Sequence, residues 1–137
     1  MTARHQVESY KFWDIVKLWA REDLESEEIV ARALAKGVVR DGLRLNSTDI
    51  RWAKGKGTAF ELKGQPYVGF CAKPGAELSI LRAEALEHLL AVVRQARRPS
   101  RKTLQDEFVM REDFRRWLRA TKQEPPAFWF SKGDADA

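Results

Sequence analysis

Few residues in this chain of 137 have the type and spacing for catalysis. His88 follows Glu84 by one helical turn, so the two side chains can touch, but no third ligand is spaced to complete a metal site with them. His5 lies in an unpatterned terminus. Cys71 stands alone in the apolar run Tyr67-Val68-Gly69-Phe70-Cys71-Ala72, which predicts a small buried side chain and excludes an intrachain disulfide. Gly64 and Gly69 have the separation of a Walker loop, yet Phe70 and Cys71 occupy the positions where Lys and Ser or Thr would meet phosphate. Glu84, Glu87, Glu107 and Glu112 each sit within a few residues of Arg or Lys, the pattern of a solvated helix face rather than of a paired acid and base. The expectation is a protein that is not an enzyme and holds no metal or cofactor. An enzyme whose residues meet only in three dimensions is the third reading.

Charge is the chemistry that the spacing does offer. Lys and Arg number 25 against 20 Asp and Glu, a net charge of +5. Residues 1–37 carry six cations and seven anions, residues 38–82 eight and four, and residues 83–137 eleven and nine, so the excess lies in the middle. Arg94, Arg97, Arg98, Arg101 and Lys102 form the densest run, with no acid between Glu87 and Asp106. Cations gathered on one surface neutralise phosphates, so these residues, with Arg44, Arg51, Lys54 and Lys56 around a glycine-rich turn, are the candidate nucleic-acid contacts. Phe128-Trp129-Phe130 is a candidate partner-binding segment if exposed, and otherwise closes the core of its own chain or of an identical subunit.

Elements must exist to position these groups. Phe12, Ile15, Val16 and Trp19 have the spacing of one helical face behind Ser9, predicting a helix from about Tyr10 to Glu22. Ser26, Glu27 and Glu28 open a second helix, whose stripe Ile29, Val30, Ala33, Leu34 is expected to stop at Gly37. After Gly42 the period changes to two. Leu43 and Leu45, Ile50 and Trp52, and Phe60 and Leu62 mark short antiparallel strands broken at Lys54-Gly55-Lys56-Gly57, Gly64-Gln65-Pro66 and Lys73-Pro74-Gly75. Leu86, Leu89, Leu90 and Val93 return to helical spacing within Arg82 to Arg97. Thr103 to Phe108 reads as a short helix, and Phe114, Trp117 and Leu118 mark a last one within Met110 to Thr121, before Pro125-Pro126. The helical stripes also predict that Trp13, Trp19, Phe114 and Trp117 are buried.

The fold expected is therefore α+β: a small antiparallel sheet of three or four strands flanked by four or five helices. Residues 1–8 are expected to be a flexible terminus and 131–137 a flexible tail. Residues 9–130 would form one domain, with helices and hairpins over 9–98 and a helical extension over 99–130. The longest uncharged run, Gly64 to Ala72, falls far short of the roughly 20 residues that span a bilayer, and no signal peptide is visible, so a cytoplasmic protein without a membrane partner is expected. Without such a signal the sequon Asn46-Ser47-Thr48 carries no expectation of glycosylation.

Ala33-Leu34-Ala35-Lys36-Gly37 resembles the end of the second helix of small excisionase-like and MerR-like winged-helix regulators. Ile80-Leu81-Arg82-Ala83-Glu84-Ala85-Leu86 resembles their strand leading into the helix after the wing, and Met110-Arg111-Glu112-Asp113-Phe114-Arg115-Arg116-Trp117-Leu118 resembles that helix again. The region from Leu43 to Leu81 is longer than a usual wing, and the second helix offers a groove few cations. The resemblance implies a helix-turn-helix with a wing, binding duplex DNA to regulate transcription. The alternative is a protein-interaction adaptor, or a homodimer, using the aromatic C-terminal segment.

Overall fold

The computed structural model describes residues 7–48, 59–62 and 64–131, with the backbone alone described over 59–62. Its elements are β1 (Ser9–Lys11), α1 (Phe12–Asp23), α2 (Glu27–Arg40), β2 (Asn46–Ser47), β3 (Ala59–Leu62), β4 (Gln65–Phe70), β5 (Ser79–Arg82), α3 (Ala83–Arg94), β6 (Glu107–Met110) and α4 (Arg111–Ala120). The fold is α+β, with four α-helices among the described residues. The strands form two three-stranded antiparallel sheets, in the orders β1-β6-β2 and β3-β4-β5.

The periodic stripes become the buried helix faces. Phe12, Ile15, Val16 and Ala20 of α1 meet Val30, Ala31, Leu34, Ala35 and Val38 of α2 in one core with Ala85, Leu89 and Val92 of α3. Ser26 caps α2, its hydroxyl accepting from the Ile29 amide at 3.1 Å, and Glu27 and Glu28 complement the helix dipole in the first turn. However, α2 does not stop at Gly37. It continues to Arg40, because Gly37 serves packing rather than termination: a Cβ there would lie 2.8 Å from the indole of Trp117. Gly42, with φ +80°, supplies the left-handed turn beyond the helix. Phe114 and Trp117 are buried as expected, while Trp13 and Trp19 are half-buried.

Three strands run straight into helices. Lys11, Arg82 and Met110 are extended residues at the entries of α1, α3 and α4, and none makes a side-chain cap. Turns over Thr103 to Asp106 and the start of strand β6 at Glu107 and Phe108 replace the expected short helix at Thr103 to Phe108. Glu107 and Val109 are buried while Phe108 and Met110 are half-buried, and the strand is paired on both sides, to β1 and to β2. The run of turns before it begins at Arg101. Of the alternation after Gly42, Leu43 and Leu45 are buried in a connection and the paired strand is only Asn46–Ser47. Ile50, Trp52 and the Lys54-Gly55-Lys56-Gly57 turn lie outside the described residues. Cys71 is exposed rather than buried, with its thiol facing the Lys73 and Ala76 carbonyl oxygens at 2.7 and 3.2 Å, because β4 has ended and the chain turns at Lys73-Pro74-Gly75.

Side chains join the two sheets. The Leu45 amide donates to Ser79 Oγ (3.0 Å), the Ile80 amide to Asn46 Oδ1 (2.8 Å) and the Arg82 amide to Ser47 Oγ (3.0 Å). The sequon residues Asn46 and Ser47 thus act as buried connectors, satisfying backbone groups that would otherwise be lost between β2 and β5.

Candidate nucleic-acid interface

The last residue of α3 and the connection from it to β6 carry the basic run. Arg94, Arg97, Arg98, Arg101 and Lys102 are all exposed. Arg98 pairs with Glu28 of α2 at 3.2 Å, but Arg94, Arg97, Arg101 and Lys102 make no salt bridge with any described residue. The absence of acids between Glu87 and Asp106 leaves them no local partner, and the neighbouring elements supply only Glu28.

This connection is anchored at two points. Arg32, itself paired with Glu28 at 3.2 Å, donates to the Ala96 carbonyl at 3.4 Å, while Arg98 holds the other Glu28 oxygen. Farther along, His88 Nε2 accepts the Ser100 amide at 2.9 Å, and Ser100 Oγ accepts from the Thr103 amide (3.2 Å) and hydroxyl (3.0 Å). Burial and the Arg97 charge hold the His88 imidazole below its ordinary pKa against the pull of Glu84, so the neutral ring suits its role as acceptor. Between α3 and the connection runs a groove of about 560 Å³, lined by Glu84, Glu87, His88, Arg94 and Arg97 among others.

Arg44 is not part of this surface. Its guanidinium donates through Nε to the Leu78 carbonyl (2.9 Å) and lies 2.9 Å from Glu77 and 3.9 Å from Asp113, so its charge is spent within the fold. Asp113 is buried, and burial pushes its carboxyl above the usual range while Arg44 and Arg116 pull it back. Arg51, Lys54 and Lys56 lie outside the described residues.

Phe128, Trp129 and Phe130 are buried in the core of their own chain. Phe114 stacks on Trp129 and Phe130 at centroid distances of 5.2 and 6.2 Å, Tyr10 meets Trp129 edge-on, and Arg111 lies over Phe130 at 4.5 Å. Glu22 accepts the Ala127 and Phe128 amides at 2.8 and 2.7 Å, and Trp129 Nε1 donates to the Val7 carbonyl at 2.7 Å. In this arrangement the three rings offer a partner almost no surface.

A buried charge pair lies outside the sequence expectations. Glu107 is fully buried, held by Arg82 through two hydrogen bonds of 3.1 and 3.2 Å and by the Ser47 hydroxyl at 2.8 Å. Arg82 also donates to the Thr103 carbonyl at 2.7 Å, so the pair braces the far end of the basic connection. The available signal was the alternation of Glu107 with Val109, which places a carboxylate on the inward face of a strand.

Among the described residues no group of three or more His, Cys, Asp or Glu could hold a metal ion, and no helix is long and apolar enough to cross a membrane. Comparison with protein-family models, with curated proteins and with solved structures brought no match.

Proposed function

We propose that this chain binds duplex DNA through the α3–β6 connection and acts as a non-enzymatic regulator in the cytoplasm. The observation that carries the reading is the set of four exposed cations without salt-bridge partners among the described residues, Arg94, Arg97, Arg101 and Lys102, on an anchored segment. Unpaired cations are free to replace the counterions of a phosphate backbone, and anchoring lowers the entropy lost on binding. The order α1, α2, β2, β3, β4, β5, α3, two helices followed by strands and a helix, supports the winged-helix resemblance, with β2 as an addition that pairs in the other sheet. The first turn of α2 does not favour groove insertion, since Glu27 and Glu28 would face phosphates there. The contact therefore belongs to the connection.

Neutralising four phosphates predicts a slope of log K against log salt of about −3.6. A fluorescence titration with a labelled duplex measures it. Replacing Arg94, Arg97, Arg101 and Lys102 together by Ala is expected to flatten the slope and leave the melting temperature nearly unchanged, because exposed unpaired cations contribute little to folding. No binding at low salt overturns the reading.

A second reading, a protein-interaction adaptor, finds support at a different surface from the aromatic C-terminus. Leu24 is 94% exposed and adopts φ +52°, and Ile29 nearby is 53% exposed. The left-handed backbone of Leu24 closes α1, its amide turning back to the Ala20 and Arg21 carbonyls, so support for this reading comes from the two exposed apolar side chains alone.

A further inference from the structure

We propose that His88 is a pH-controlled latch on the basic connection: the neutral imidazole holds Ser100 and with it the turn that presents Arg101 and Lys102, and protonation releases that turn. What the connection grips rests on the nucleic-acid reading above; the latch itself does not.

The geometry is that of one acceptor facing one donor. With Nε2 accepting the Ser100 amide at 2.9 Å, the neutral ring carries its proton on Nδ1. A second proton would have to go to Nε2, turning the acceptor into a donor aimed at another donor. Ser100 is the pivot of the segment, because its hydroxyl accepts twice from Thr103 and its carbonyl accepts the Leu104 amide at 3.2 Å. The anchors to α2, at Ala96 and Arg98, lie before Pro99 and do not reach this turn. At its other end the turn is held at Thr103 by Arg82. Opening the latch therefore releases the turn from α3 at Ser100, while its bonds to Thr103 and Leu104 and the anchors to α2 stay in place.

The charged groups around the ring set the direction. The groove that His88 lines also takes Glu84, Glu87 and Arg94 from α3 and Arg97 from the connection, while β4 contributes only the uncharged Pro66. Glu84 favours the imidazolium, whereas burial and Arg97 oppose it more strongly. The latch is closed at neutral pH and opens on the acid side of the ordinary histidine range.

Hydrogen exchange of the Ser100 amide in the full chain, corrected for the intrinsic pH dependence, tests this directly. Protection should fall about two- to tenfold as His88 titrates, the scale of one hydrogen bond. His88→Gln, which keeps an acceptor but cannot titrate, should make protection independent of pH, and His88→Ala should remove it throughout. Nitrogen chemical shifts of the wild-type ring should report the Nδ1–H tautomer, a readout that survives if His88→Ala does not fold. An Nε2–H tautomer, or Ser100 protection that stays constant while His88 titrates, overturns the latch. Affinity for a labelled duplex at about pH 7.5, where the ring is neutral, separates the two claims. Exchange that follows His88 with no duplex binding keeps the latch and overturns the nucleic-acid reading; duplex binding with exchange indifferent to His88 does the reverse.

Discussion

Two buried residues show how little freedom the interior has. Gly37 lies under the Trp117 indole, and Gly37→Ala would drive a methyl group to 2.8 Å from its ring. Neither α2 nor the buried ring can yield easily, so a loss of about 1–3 kcal/mol is expected in urea unfolding. Glu107 presents a different constraint. Burial pushes its carboxyl above the usual range, while Arg82 and Ser47 pull it back toward ionisation. Arg82→Ala leaves a carboxylate without its counterion and should cost about 3–5 kcal/mol near neutral pH, with the paired change Glu107→Leu restoring much of the loss. A carboxyl whose pKa is raised in the folded state favours folding below its unfolded pKa and loses that advantage as pH rises through the folded value. The Arg82→Ala deficit should therefore shrink as Glu107 takes up a proton in acid, which melting curves across pH can measure.

At the scale of elements, the C-terminal segment behaves as part of the core. α4 ends at Ala120, closed by Lys122 at φ +56° and the Gln123 amide donating back to the Leu118 carbonyl at 2.9 Å, and beyond Pro125 and Pro126 the chain lies across β1, α1 and α4 with Phe128, Trp129 and Phe130 buried. Truncation after Glu124 should remove several kcal/mol, since a single buried Phe or Trp is worth about 3–5 kcal/mol. That is a large share of the roughly 5–15 kcal/mol that holds a domain together. Glu22→Gln tests the clasp alone: the Ala127 and Phe128 amides bond to different carboxylate oxygens, so Gln keeps one of them as a neutral hydrogen bond and sets its NH2 against the other amide, at a cost of about 1–3 kcal/mol. A truncated chain with unchanged melting and mass would instead make the segment a dispensable arm.

For the whole molecule, the closure of β1 on β6 joins the two ends of the chain. Ser9 to Lys11 pairs with Phe108 to Met110, the Arg111 amide donates to the Glu8 carbonyl at 2.8 Å, and Trp129 reaches Val7. Residues 9–98 and 99–130 consequently share one core, with Trp129 and Phe114 in the same cluster as Ile15 and Leu34. Thermal unfolding should be one cooperative transition, with far-ultraviolet dichroism and tryptophan fluorescence giving the same midpoint. Two separated midpoints would mean that the extension folds by itself.

What the sequence determined alone was local in origin. The helical stripes from Phe12, Val30, Leu86 and Phe114 are legible because burying one face of a helix requires a period near 3.6, and the turns at Gly64 and Gly75 are legible because both adopt positive φ. Exposure of the basic run was legible too, since an acid-free stretch has no local means of neutralising itself. Tertiary structure decided everything that depends on segments far apart in the chain. Strands β1, β2 and β6 are two to four residues long, too short to show a period, and exist because they pair with one another. Gly37 became a packing residue only when Trp117 arrived, and Asn46 and Ser47 became connectors only when β5 lay beside them. The candidate interface changed for the same reason: Glu77 and Asp113 took Arg44 out of it, Glu28 took Arg98, and the groove brought in His88. Charge is written residue by residue, but whether a charge is free depends on what the fold places within a few ångströms of it.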